Sequence, residues 1–201
     1  MRFIGFYDYT VILTYLSLVS AVLGMVCAGK DNFSSAILCL MASGVFDMFD
    51  GRVARSKKNR TADEKAFGIQ LDSLCDVICF GVFPALICYL MGVLCYCMGA
   101  DTVIGIAVIC CYCICAVIRL AFFNVMEAKR QQVEDGCNQF YRGLPVTTIS
   151  MIYPAVYLLR NSLPSGAYPV VLVCMLAVVA FLFVLDVPIR KLGAKKEKTV
   201  P

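Results

Sequence analysis

Six apolar stretches separated by short polar segments organise this chain. Residues Tyr9 to Ala28, Phe33 to Phe46, Val77 to Ala100, Thr102 to Ile118, Val146 to Leu159 and Ala167 to Leu185 contain no charged side chain. Charged segments extend the second and third of them. A bilayer core takes about 20 apolar residues per helix. The pattern therefore predicts an all-α integral membrane protein, a bundle of about six transmembrane helices forming a single domain over residues 1–201. The first stretch lacks a preceding basic segment with a small-residue cleavage site, so Tyr9 to Ala28 reads as a retained helix.

Composition excludes the soluble classes. The chain is 61% hydrophobic and 16% charged, with mean hydropathy +0.81, against roughly 45–50% and 25% in soluble domains. Of the 18 Lys and Arg residues, fifteen fall on one side of an alternating six-helix path: Arg2, the six from Arg52 to Lys65, Lys129, Arg130, Arg142 and the five from Arg190 to Lys198. Only Lys30 and Arg160 fall on the other, with Arg119 at the end of the fourth stretch. This asymmetry predicts both termini and the basic loops in the cytoplasm. The basic tail, residues 190–201, reads as a lipid-facing end, and Glu127, Lys129, Arg130, Glu134 and Asp135 as a solvated loop. The net charge of +4 is a topology and headgroup signal. No basic stripe interleaved with aromatics points to nucleic acid as a partner. Thirteen cysteines and no histidine do not suggest zinc. Cys110 and Cys113 have redox spacing but sit in an apolar run, and the cysteines read as packing residues.

Four of the acids stand where a membrane reading least expects them. Asp47 and Asp50 lie toward the end of the second helix, and Asp72 and Asp76 where the third begins. Acids inside a membrane helix are functional-site candidates by default. Fourteen residues from Phe33 carry the helix roughly 21 Å before Asp47, which puts Asp47 in the cytoplasmic half and Asp50 one turn nearer water. Antiparallel packing then levels Asp47 with Asp76 and Asp50 with Asp72. Asp47, Asp50, Gly51, Ala54 and Arg55 share one helical face, and Gly68, Asp72 and Asp76 share another. The small residues allow close approach by a helix or a ligand. Four facing carboxylates repel unless matching positive charge is bound. Two divalent cations supply it, and an oxygen-only ligand set favours Mg2+ or Mn2+. Plain salt bridges to Arg52, Arg55, Lys57, Lys58 and Arg60 are the alternative. On the first helix Thr10, Thr14 and Ser17 form a polar stripe, facing either a ligand or their own helix carbonyls.

These residues reproduce the pattern D-x2-D-G-x2-A-R, then G-x3-D-x3-D, over residues 47–76, and the run resembles the signature of CDP-alcohol phosphotransferases. The resemblance implies a six-helix membrane enzyme, usually a homodimer, with Asp47, Asp50 and Asp72 holding two metal ions and Asp76 joining them and acting as base. For that chemistry Asp50, Gly51, Ala54, Arg55 and Gly68 are the candidates on the nucleotide and phosphate side, with the polar stripe at Thr10 and Thr14 as a further candidate. Leu71-Asp72-Ser73-Leu74, Phe80-Gly81-Val82, Pro84-Ala85, Arg119-Leu120-Ala121, Phe123-Asn124 and Gly143-Leu144-Pro145 are similar to segments of the family's membrane-embedded phosphatidylserine synthases. That similarity implies transfer of a phosphatidyl group from CDP-diacylglycerol to L-serine, at a site that the charge asymmetry faces to the cytoplasm, in the cell membrane if the source is a prokaryote. A serine site needs a cation for the carboxylate. Arg119, Asn124 and Arg142 are the candidates. Phe122 stands where that pattern has a second arginine, and Thr147 replaces a usual proline. Glycerol 3-phosphate or inositol phosphate as acceptor keeps the same chemistry. A cation transporter is disfavoured, because no inverted repeat is present and the acids lie toward one surface.

Overall fold

The computed structural model describes residues 5–6, 8–57, 61–93, 100–133, 140–142, 144–164, 166–186 and 188–190. A single 3-10 turn, Tyr9–Val11, leads into α1 (Ile12–Ala28), and α2 (Phe33–Ser56) follows. Asn32 caps α2 by accepting from the Ser35 N–H at 3.2 Å. α3 (Ala62–Asp76) opens with a capping box in which Thr61 and Glu64 satisfy each other's backbone N–H groups. A π-helical segment, Val77–Val82, joins it without a break to α4 (Phe83–Cys88), and a second, Tyr89–Val93, completes the long third element. α5 runs from Ala100 to Val133, α6 from Ile149 to Leu158 between 3-10 turns Val146–Thr148 and Leu159–Asn161, and α7 from Ala167 to Val184. Two three-residue strands, β1 (Phe140–Arg142) and β2 (Pro188–Arg190), pair antiparallel with Tyr141 opposite Ile189.

Among the described residues, five elements are long and apolar enough to cross a membrane: residues 9–28, 33–54, 62–93, 102–128 and 167–184. The sixth expected span is shorter. Pro145 precedes it, Pro154 interrupts it and Pro164 follows it, so α6 has only ten residues. α5 departs in the other direction. Its polar continuation through Glu127, Lys129 and Arg130 is helix rather than loop, because Ala, Met, Glu, Lys, Arg and Gln favour helix and no Gly or Pro occurs between Gly105 and Gly136. Glu134, Asp135 and residues 191–201 of the tail lie outside the described residues.

α1 and α2 form an antiparallel hairpin, pinned by Ser20 to the Cys39 carbonyl, Ser17 to Ser43 and Thr14 to Asp50. A Cβ on Gly24 would collide with Phe83 and Cys39, so this glycine lets α4 press into the hairpin. Gly44 plays the same part for α6, whose Ser150 occupies the space a Cβ would need. Ser34 meets Tyr157 at 2.9 Å. α6 thus begins at the level of Gly44 and runs toward Ser34. Phe80, Phe83, Ile87, Tyr112, Ile149, Tyr153, Leu172 and Leu176 fill the core at zero exposure. Helices elsewhere present Leu, Val, Ile and Phe outward, as a bilayer-facing surface does.

Candidate active site

The acid end of the bundle is built where α2 finishes and α3 starts. One carboxylate oxygen from each of Asp47, Asp50 and Asp72 lies within 4.8 Å of the other two. The Asp47 and Asp76 carboxyl groups are within hydrogen-bonding reach of each other, as are those of Asp50 and Asp72. Asp76, one turn deeper, lies outside the close trio. Asp50 and Asp76 are 7% and 8% exposed. Asp47 and Asp72 are half-buried.

This arrangement fits a hard divalent cation. The Oδ1 atom of Asp72 is buried and accepts no hydrogen bond among the described residues. Such an atom is costly in a low-dielectric setting unless something positive meets it. Three oxygen donors converging within one coordination sphere suit Mg2+ or Mn2+.

Around the acids the polar residues of α1 point inward rather than onto their own helix. Thr14 Oγ1 donates to Asp50 Oδ2 at 2.9 Å, and Ser17 pairs with Ser43 at 2.8 Å one turn deeper. Thr10 is buried in the 3-10 turn and lines a small cleft with Phe6, Asp8, Val11, Glu64 and Phe67. Gly51, Ala54 and Gly68 are half-buried on the helical faces that carry the aspartates. Arg55 lies on the same stretch of α2, and Arg142 on β1; both side chains are outside the described residues.

α5 brings the acceptor candidates to this end. Asn124 Oδ1 accepts from Ser73 Oγ at 2.8 Å, so it sits against α3 between the levels of Asp72 and Asp76. Arg119 is in mid-helix, not at a helix end, and is 7% exposed. Its Nε donates to the Leu144 carbonyl at 3.3 Å, tying α5 to the turn that enters α6. Leu144 N–H in turn reaches the Leu182 carbonyl of α7. Phe122 is 45% exposed, on the side of α5 roughly opposite Asn124. An arginine there would face outward rather than Ser73.

Sequence reasoning missed three contributors. Ser43 and Ser73 hold Ser17 and Asn124; Ser43 stands one helical turn before Asp47, and Ser73 directly follows Asp72. Lys57 Nζ lies 2.6 Å from Asp8 and 3.3 Å from Glu64. The Asp8 hydrogen bond first, then Glu64, raises the Lys57 pKa above the ordinary lysine value. With the Phe6 and Phe67 rings 5.6 Å apart, this ion pair clamps the N-terminal segment to the start of α3. The capping-box spacing Thr61 to Glu64 was the only local signal for it.

The sequence profile of the CDP-alcohol phosphatidyltransferase family matches residues 9–185. The chain belongs to that family, and its five long apolar helices make it an integral membrane member. Among its relatives, a CDP-diacylglycerol–serine O-phosphatidyltransferase of Saccharomyces cerevisiae is 31% identical over 170 residues, covering 81% of this chain and 57% of the relative. One of the same name from Helicobacter pylori is 33% identical over 156 residues, covering 77% and 59%. An archaetidylserine synthase of Methanothermobacter thermautotrophicus is 30% identical over 147 residues, covering 73% and 56%. The chain thus spans under three fifths of the length of these curated relatives. No solved structure matches it.

Proposed function

We propose that this chain transfers the phosphatidyl group of CDP-diacylglycerol to the hydroxyl of L-serine, giving phosphatidylserine and CMP. The observation that carries the reading is the convergence of Asp47, Asp50 and Asp72 beside the buried Asp76, on a chain whose family moves phosphatidyl groups between alcohols. The names of its relatives, two acting on serine and one making archaetidylserine, support serine as acceptor.

Asp47, Asp50 and Asp72 would hold the divalent ions, with Asp76 next to them. When bound, such ions stabilise the charge that builds on the attacking and leaving oxygens. Asp76 accepts the serine hydroxyl proton while the oxygen bonds to the lipid-side phosphorus. The phosphoanhydride bond breaks, and CMP leaves with the electron pair. Thr14 orients Asp50 through its hydrogen bond. Gly51, Ala54 and Gly68 leave space for the cytidine end, with Arg55 and Thr10 on the phosphate and nucleotide side. Arg119, Asn124 and Arg142 hold the serine carboxylate and amine, and burial of Arg119 excludes water that would compete for the guanidinium. The whole chain works as one domain, as a homodimer, with both termini and the acid end in the cytoplasm.

Purified protein in lipid nanodiscs, given CDP-diacylglycerol with serine, glycerol 3-phosphate, inositol phosphate or ethanolamine, should yield phosphatidylserine and CMP in equal amounts. Product only from another alcohol would reassign the acceptor. Single cysteines at Lys57 and Ser162 in a cysteine-free variant should label from opposite sides, Lys57 from the cytoplasm. Labelling of both from one side would reject the topology.

A further inference from the structure

We infer that Tyr112 is a positioning residue for the proposed transfer, because its hydroxyl holds the Phe80 carbonyl, which Pro84 cannot serve, one turn beyond Asp76. This rests on Asp76 being the base, as proposed above. In an α-helix the Phe80 carbonyl accepts from the N–H of the residue four ahead. That residue is Pro84, which has no N–H and whose ring crowds the carbonyl it faces. The chain responds by widening: Val77–Val82 is π-helical, and the Phe83 N–H reaches back five residues to Ile78. Widened turns of this kind inside a helix occur often at functional positions.

Within a bilayer no water is at hand for a stranded carbonyl. Tyr112, on α5 and at zero exposure, donates its hydroxyl to the Phe80 carbonyl. The next residue of α5, Cys113, places its thiol 3.7 Å from the Gly81 carbonyl. Phe183 of α7 packs its ring 5.6 Å from that of Tyr112, backing the phenol from behind. Consecutive residues of α5 therefore serve consecutive carbonyls of the widened turn.

The location gives this contact its consequence. The π segment begins directly after Asp76. α5 grips the third element on both sides of that residue, at Ser73 through Asn124 and at Phe80 through Tyr112. The two grips set how far the proton-accepting carboxylate stands from Arg119 and Asn124. Loss of the deeper one frees the turn to re-register and misplaces Asp76, while Asp47 and Asp50 stay held by the α1–α2 hairpin and Asp72 keeps its place on α3 beyond the Ser73–Asn124 contact.

Tyr112→Phe in the full-length protein tests this. It should lower kcat about 3- to 10-fold, leaving KM for CDP-diacylglycerol and the affinity for Mn2+ unchanged. Pro84→Ala restores an N–H facing Phe80, so in that background Tyr112→Phe should cost less than about 2-fold. A general packing defect would lower both backgrounds alike. Should Tyr112→Phe alone fail to accumulate folded, Pro84→Ala must restore folded protein, and failure to do so overturns the inference. An active wild type with unchanged kcat in Tyr112→Phe, or with equal losses in both backgrounds, also overturns it. A wild type inactive on every alcohol would instead reject the proposed reaction.

Discussion

At the end of the bundle away from the acids, the buried polar groups are neutral tyrosine hydroxyls: those of Tyr153 and Tyr168 sit within aromatic and aliphatic packing, and that of Tyr157 meets the exposed Ser34, while the exposed Arg160 guanidinium lies 4.1 Å from the Tyr157 ring centre. At the acid end the buried groups are carboxylates brought within a few ångströms of one another. Both ends leave atoms without hydrogen-bond partners, the two tyrosine hydroxyls in one case and Asp72 Oδ1 in the other. The costs differ in kind. An unmatched hydroxyl loses a hydrogen bond, whereas clustered carboxylates also repel and lose their hydration. A fold gains nothing from the second arrangement by itself, which marks the acid end as the place where stability is given up for chemistry.

The largest effect that would break this contrast is at Asp76. Asp76→Asn should lower kcat by about 10²- to 10⁴-fold, the range for losing a general base, as measured by CMP release. Near-normal turnover would remove the acid end from the reaction. Arg119→Lys keeps charge but loses the planar fork, and should lower kcat/KM for serine roughly 10- to 150-fold with little change for ethanolamine. Equal losses for both acceptors would assign Arg119 to the Leu144 contact alone. Thr14→Val should cost about 3- to 10-fold through its lost hydrogen bond to Asp50, while Ser34→Ala at the opposite end should leave kcat unchanged. The smallest effect concerns stability. In chelator, Asp72→Asn should raise Tm by about 2–4 °C by relieving repulsion, and Tyr153→Phe should not. A fall in Tm for Asp72→Asn would make the carboxylates structural.

The two ends were unequally legible in the sequence. The aspartate faces could be read because helical spacing is local: residues three and four apart must share a side, and Asp47, Asp50, Asp72 and Asp76 obey that without knowledge of the fold. Their levels followed from antiparallel packing of adjacent helices. The extent of α5 was not legible from polarity, since charge marks where a helix leaves the bilayer and not where it ends. The brevity of α6 was written in Pro145, Pro154 and Pro164, which an apolar count passes over. The Lys57 clamp joins Asp8 to Glu64 across two helices, and Tyr112 meets Phe80 from 32 residues away. Contacts of that sort have no local period to betray them. Pro84 alone hinted at the second, by removing a donor that some other residue had to replace.

The central claim is that the clustered carboxylates exist to hold divalent cations for the transfer. Its most direct measurement is Mn2+ binding to the purified protein, followed by the loss of free-ion magnetic resonance signal, for wild type and Asp50→Asn in the presence of CDP-diacylglycerol. The account predicts two ions per chain for wild type, weakened binding in Asp50→Asn, and turnover that rises with occupancy. Full phosphatidylserine synthesis in exhaustive chelator, or Mn2+ binding that Asp50→Asn leaves untouched, would contradict it.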